Sequence, residues 1–312
     1  MKSRKFRADE ILFSPTAQCN LRCGHCDIKK YPVNLPKQTA IKFIAACAKA
    51  GIKRLGFTGG EPFLALDFLC AITKEAIRCN MLFSRIMTNA AWFKTKNELM
   101  SSLERLFKAG YDGDICISVD AFHKQNLQKI ALFIKTVSEI WNRQDMVSIA
   151  AVKGALDNQT KKRLKDLKRL LNTRLFIRIF YIELSPIGKA RRLKNAWGNK
   201  WFKDDFCKGP GNVFFVLPNG AVKPCCGYGN DADMLTIGSI KRDTPQKLLR
   251  NAEKNLFVSE IFKEGLHPIR QALERSGIRF PGKTANHCFF CYYLTNVIPR
   301  PTLKYLKSKS QG

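Results

Sequence analysis

Three cysteines stand within eight residues in CNLRCGHC, at Cys19, Cys23 and Cys26. A thiolate is a soft and strong metal ligand, so this spacing suits a zinc site, half of a disulfide framework or the open corner of an iron–sulfur cluster. The other cysteines sort by their surroundings. Cys47, Cys70, Cys79 and Cys116 lie singly in apolar patterns, where a thiol behaves as a small hydrophobe. Cys207, Cys225, Cys226, Cys288 and Cys291 gather near the C-terminus as C…CC…CxxC.

The remaining composition bounds these choices. A chain of 312 residues with 45% apolar content can bury a sizeable core and suggests about two domains. The start, MKSRKFRADE, is charged, and no run approaches the ~18 apolar residues of a membrane span. A cytoplasmic protein without a membrane span is therefore expected, in a compartment that keeps thiols reduced, so metal or redox chemistry is a better account of the cysteines than a disulfide scaffold. A net charge of +29 attracts polyanions. Its densest runs are KKRLKDLKRL (161 to 170) and GKARRLK (188 to 194). The first has a helical period that predicts Leu164, Leu167, Leu170 and Leu171 inward and the cations in water.

The elements that must position these residues show as a rhythm. Apolar, β-branched runs at 11–16, 54–59, 84–89, 114–120, 146–152 and 175–184 alternate with helical patterns. Such alternation, at a spacing of roughly 30 residues, is that of βα units joined by right-handed crossovers. Six units predict a partial (β/α)6 barrel with its chemistry at the C-terminal ends of the strands. Cys19–Cys26 follows the first strand, GGEP (59 to 62) the second, Thr88 and Asn89 end the third, and Ser118 and Asp120 the fourth. A doubly wound sheet has the same rhythm but would place a glycine-rich turn after the first strand.

The CxxxCxxC run after a first strand, His25 before its third cysteine, and GGEP after a second strand together resemble the radical S-adenosylmethionine (radical SAM) enzymes, over residues 11 to about 190. The resemblance implies that Cys19, Cys23 and Cys26 hold a [4Fe-4S] cluster whose fourth iron is left to S-adenosylmethionine, the source of a 5′-deoxyadenosyl radical. It implies cofactor contacts from His25, Gly59, Gly60, Glu61, Pro62, Thr88, Asn89, Ser118, Asp120 and Ile187. Glu61 would face the methionyl ammonium, and Thr88, Asn89, Ser118 and Asp120 the ribose or the methionyl carboxylate. Pro186, Ile187 and Gly188 would cradle adenine, and the glycines would let backbone approach the cofactor closely. A zinc site would want a fourth ligand nearby, for which His25 is the candidate.

Beyond residue 196 the composition changes, so the expected domains are a radical SAM partial barrel over 1–196 and a small C-terminal auxiliary-cluster domain over 197–312. Two apolar runs around Pro218-Asn219-Gly220 predict a hairpin. Cys207, Cys225, Cys288 and Cys291 resemble the ligand set of the twitch or SPASM extension and imply one auxiliary [4Fe-4S] cluster, although four cysteines also suit zinc. Adjacent residues of an extended segment point to opposite sides, which leaves Cys226 outside that set. The whole pattern, with Trp92 after Thr88-Asn89 and a D-x-x-H from Asp120 to His123, is similar to compact radical SAM peptide epimerases. In those enzymes a cysteine returns hydrogen to a Cα radical, and Cys226 is the candidate here.

The resemblance implies a ribosomally made precursor peptide as substrate, with an acidic one suiting the charge, and an electron donor such as flavodoxin or ferredoxin. Thioether or carbon–carbon cross-linking is the alternative within peptide chemistry. Nucleic-acid modification is the alternative outside it, against which no RNA-binding module stands out. Anaerobically reconstituted protein is expected to bind about eight irons, from two four-iron cubes. Replacing Cys19, Cys23 and Cys26 together by Ala should remove about half, and zinc in place of the second four irons, found by metal analysis, would refute the auxiliary cluster.

Overall fold

The computed structural model describes residues 7–28, 31–154, 156–172, 177–203, 212–228 and 232–311. Six strands alternating with five helices open the chain: β1 Glu10–Phe13, α1 Lys37–Lys49, β2 Arg54–Phe57, α2 Leu66–Arg78, β3 Leu82–Thr88, α3 Lys96–Lys108, β4 Asp114–Ser118, α4 Leu127–Trp141, β5 Val147–Lys153, α5 Asp157–Leu171 and β6 Arg178–Glu183. They are followed by β7 Val213–Val216, β8 Ala221–Lys223, β9 Gly238–Ser239, α6 Pro245–Lys254, α7 Leu256–Lys263, α8 His267–Arg275, α9 His287–Tyr292 and α10 Pro299–Gln311. No helix among the described residues is long and apolar enough to cross a membrane.

The sheet order is β6-β5-β4-β3-β2-β1-β7-β8-β9, and every pair from β6 through to β7 is parallel. Each of the first six strands lies beside its predecessor, so the winding never reverses. A doubly wound sheet requires such a reversal, and this sheet is a partial barrel instead. Sequence reading anticipates the first six strands and the hairpin, but not that the hairpin's first arm extends the parallel sheet. The first arm of the predicted hairpin, β7, pairs in parallel with β1, Glu10↔Val213 through Phe13↔Val216, while its second arm, β8, pairs with it antiparallel. Gly220, at φ +88°, makes the left-handed step of that turn.

Strand ends and helix starts are set locally. Thr95 accepts a hydrogen bond from Glu98 N, and the Glu98 carboxylate reaches back to Lys94 N, so a T-x-x-E box starts α3. Asn126 caps α4 on two amides. Between the strands and the helices Ile11, Leu55, Phe57, Ile86, Ile115 and Ile117 are fully buried. Cys47 and Cys116 are buried with them, and burial pushes both thiols up, as expected of packing residues rather than nucleophiles.

The basic helix α5 departs from the expected pattern at two places. Leu164, Leu167 and Leu171 are buried, but Leu170 is 40% exposed. A helix advances about 100° per residue, so Leu170 lies round the rim from Leu171. Arg163, counted among the solvated cations, turns inward and donates to Gln125 O at 2.5 Å. Leu167→Ala should therefore cost about 2–5 kcal/mol in urea unfolding of the full chain. Leu170→Ala should change it by no more than about 0.5 kcal/mol, as for other exposed positions.

Candidate active site

The rim is organised by a buried carboxylate. Glu61 is fully enclosed, and its Oε1 accepts from Phe63 N at 3.1 Å and from Thr88 Oγ1 at 2.8 Å, while Oε2 accepts from Asn89 N at 2.8 Å. The first bond caps the 3-10 turn Pro62–Ala65, with Pro62 at a first-turn position where its missing N–H costs nothing. The other two join the tips of β2 and β3. A carboxylate enclosed by three protein donors positions the rim. Burial lifts its pKa to about 7, against the three hydrogen bonds that favour the charged form.

From this hub the contacts run to the cysteines. Asn89 Nδ2 lies 3.6 Å from Cys19 Sγ and 2.9 Å from Asn20 Oδ1, and Asn20 Nδ2 donates to Ala91 O. Leu21 N also donates to Cys19 Sγ, at 3.4 Å. The glycines serve the same junction. A Cβ on Gly60 would sit 2.0 Å from Gln18 O, and one on Gly59, at φ +124°, would sit 2.6 Å from Ser14 Oγ. Gly60 N donates to Thr16 O and Glu61 N to Gln18 O, so the backbone that comes close is the approach to Cys19. Thr88, almost wholly buried, is likewise spent on Glu61 and on Ala90 N.

The fourth strand ends in a second buried carboxylate. Asp120 Oδ1 accepts from Phe122 N, His123 N and His123 Nδ1 at 2.8–3.1 Å, and Oδ2 accepts from Val152 N at 3.2 Å. Burial opposes its charge, but the His123 hydrogen bond and the neighbouring imidazoles outweigh burial and hold it below the usual carboxylate range. Asp120 thus orients His123. The His25 ring packs 4.7 Å from His123 and 5.0 Å from Phe122, centroid to centroid. Burial, then the charge of His123, lowers its pKa to about 4, and its Nδ1 has no hydrogen-bond partner among the described residues. The D-x-x-H spacing marks the first pair, whereas the approach of His25 has no signal in the sequence. Gln125 is also missed there: its Nε2 donates to Asn89 O and Ser118 O and so locks the third strand tip to the fourth.

After β6 the chain closes on the cysteine loop. Ile187 is buried, Lys189 N donates to Cys26 O at 3.4 Å, and a Cβ on Gly188, at φ +54°, would lie 2.5 Å from Asp27 Cα. The C-terminal cysteines approach from the other side. Gly227 N donates to Cys225 Sγ at 3.1 Å, and a Cβ on Gly227 would lie 3.2 Å from Cys225 Sγ and 3.9 Å from Cys288 Sγ. Two thiols therefore border the backbone at Gly227. Cys291 is half-buried and Cys226 is exposed; Cys207 lies outside the described residues. Tyr228 packs against Ile187, Phe289 and Tyr292, so it lies between the two cysteine regions. Nearby, a cavity of about 240 Å³ is lined by Arg191, Lys194, Trp197, Phe289 and Tyr292 among others.

Residues 13–147 match the model of the Radical SAM superfamily. GTP 3′,8-cyclase of Listeria monocytogenes is 27% identical over 212 residues, covering 63% of this chain and 59% of that protein. The GTP 3′,8-cyclase of Aliarcobacter butzleri is 30% identical over 133 residues, covering 40% of this chain and 38% of that protein. The chain spans about three fifths of the first relative's length. Among solved structures, native anSMEcpe with bound AdoMet and Cp18Cys peptide is similar with a TM-score of 0.58 at 14% identity, covering 96% of this chain and 99% of that one. BtrN in complex with AdoMet and 2-DOIA is similar with a TM-score of 0.51 at 15% identity, covering 91% and 98%. These identities make the likeness one of fold, a fold that holds AdoMet in both solved structures.

Glu61→Gln would turn an amide donor toward Phe63 N, Thr88 Oγ1 or Asn89 N and should cost about 1–3 kcal/mol in anaerobic denaturation. Because the folded pKa lies above the ordinary 4.5, the stability that Glu61 contributes is complete below that value and falls as pH rises through about 7. The variant should lack this decline. Its deficit relative to wild type should shrink between about pH 5 and about pH 8, and a deficit constant with pH would contradict the raised pKa.

Proposed function

Taking residues 13–147 as the core of a radical SAM enzyme, which brings a [4Fe-4S] cluster and S-adenosylmethionine with it, we propose that the chain is a peptide epimerase that inverts L-residues to D-residues. The observation that carries the reading is the division of labour between two adjacent thiols. Cys225 is drawn toward Gly227 N and the Cys288 side, while Cys226 stays exposed on the same loop. The first suits a cluster ligand and the second a hydrogen donor, since a thiol that reacts with substrate must be reachable.

In this reading Cys19, Cys23 and Cys26 hold the cluster, and Asn89 and Leu21 N direct their hydrogens at Cys19 Sγ and so fix its position. When bound, the cluster and S-adenosylmethionine supply the 5′-deoxyadenosyl radical, the oxidant that the protein's own side chains cannot provide. The remaining steps belong to the chain. His25 and Ile187 border the cysteine loop, and the His25 imidazole stays neutral at physiological pH. Cys226 returns a hydrogen atom to the planar Cα centre from the face opposite to abstraction, which sets the inverted configuration. Cys207, Cys225, Cys288 and Cys291 hold an auxiliary cluster, for which the approach of Cys225 and Cys288 to Gly227 is the supporting geometry. A flavodoxin or ferredoxin would supply the electron.

A second reading, a nucleotide substrate, is supported by the curated relatives, whose names make them GTP 3′,8-cyclases. The cavity beside Tyr292 also combines cations and rings in a way that suits a base with phosphates.

In heavy water the Cys226 thiol exchanges its proton before it donates, so each inverted residue should gain a deuterium and hydrolyse to a D-amino acid, with no other change of mass. Cys226→Ala should still cleave S-adenosylmethionine but form little D-residue, whereas Cys225→Ala should lose auxiliary-cluster iron. A product lighter by two hydrogens would replace epimerisation by cross-linking, and turnover of GTP without a peptide would establish the second reading.

A further inference from the structure

The last strand of the barrel is composed for burial and left open. β6 reads RIFYIE, and its four central residues, Ile179, Phe180, Tyr181 and Ile182, are 38–47% exposed. Apolar residues at consecutive positions are the composition of a strand covered on both faces. Yet all six residues of β6 are exposed, and among the described residues its only strand neighbour is β5. Long, exposed, apolar edges are ordinarily blunted, because their unpaired amides and carbonyls invite another chain.

The free side of the edge can be assigned residue by residue. Leu184 N donates to Lys153 O at 2.8 Å, beyond the pair Glu183↔Lys153. Backbone groups alternate in direction along a strand, so Phe180 and Ile182 bond toward β5. Ile179, Tyr181 and Glu183 present their N–H and C=O groups outward.

Charge decides what fits there. Arg85 lies over the Phe180 ring and Lys153 over the Tyr181 ring, and the strand lies in sequence between basic α5 and the basic run GKARRLK. A second copy of a chain carrying +29 would bring the same cations to the same edge. An acidic segment would meet opposite charge, and only an extended backbone matches outward amides repeating every second residue.

We propose that β6 is the docking edge for an extended, acidic segment of the peptide substrate, which adds to the barrel sheet as its next strand. The proposal rests on the reading of the protein as a peptide-modifying enzyme and supplies its means of recognition. Position links the two. Six residues of strand run about 20 Å, and the chain beyond β6 reaches the cysteine loop at once, through Lys189 N on Cys26 O and Gly188 against Asp27. A peptide held along β6 has one end at the rim where the radical chemistry occurs.

The test uses the full, reconstituted chain and two capped octapeptides, one alternating Glu and Val and one alternating Lys and Val. Hydrogen exchange of Ile179, Tyr181 and Glu183 amides is read with each, and affinity is read by fluorescence anisotropy. The Glu–Val peptide should slow exchange at those three amides at least tenfold, the Lys–Val peptide should not, and N-methylation of alternate residues on its pairing edge should weaken binding at least tenfold. Tyr181→Pro removes an outward donor while sparing the ladder to β5. It should abolish the protection and leave peptide-independent cleavage of S-adenosylmethionine within twofold of wild type.

Unchanged exchange at saturating Glu–Val peptide, or equal binding of the N-methylated peptide by the wild-type chain, would overturn the proposal without needing the variant to fold. Protection that is already present without peptide and grows with protein concentration would overturn it in favour of a second copy. Failure of the wild-type chain to cleave S-adenosylmethionine is a separate result: it refutes the chemistry proposed above and leaves the edge measurement to be read on its own.

Discussion

A carboxylate that cannot reach water holds the rim together. Glu61 lies at the junction of β2, β3 and the approach to Cys19, and each of its oxygens is taken by donors from those neighbours. A buried acceptor left unsatisfied costs about 1–3 kcal/mol, and more when charged. The three donors are therefore held to Glu61 as firmly as Glu61 is held to them. Asn89 carries this order outward, since its backbone N–H serves Glu61 while its side chain reaches Cys19 and Asn20. The position of the first cysteine thus depends on a residue that need not touch any ligand.

Asp120 repeats the device one strand further round. It too is fully buried, ties the end of β4 to β5 through Val152 N, and spends its other oxygen on the turn that presents His123. Gln125 joins the two systems through Asn89 O and Ser118 O. Such linked polar networks are stable only when nearly every member is satisfied. Gln125 Oε1 and His25 Nδ1 are the exceptions here, and the second lies on the loop of the cysteines.

The C-terminal third of the chain owes its place to β7. By pairing with β1 it carries the hairpin, and with it Cys225 and Cys226, to the strand that leads into Cys19. Tyr228 then packs against Ile187, after β6, and against Phe289 and Tyr292 of α9. The two cysteine regions approach one another because one sheet and one apolar cluster hold them, while their separation along the chain exceeds 190 residues.

The sequence alone determined the βα rhythm, the strand tips and the place of the cysteine run after the first strand, because apolar period and turn chemistry are local properties. GGEP, Thr88-Asn89 and D-x-x-H were also legible as rim segments. What each side chain does there was not. Glu61, Thr88 and Asp120 read as ligand-facing groups, and the tertiary structure alone shows that they are enclosed and bonded to protein, because burial depends on neighbours distant in sequence. The same holds for β7 beside β1, for His25 against His123, and for Leu170 outside the core. It holds as well for β6, whose apolar composition predicts a covered strand, since only the sheet order reveals that it is the last.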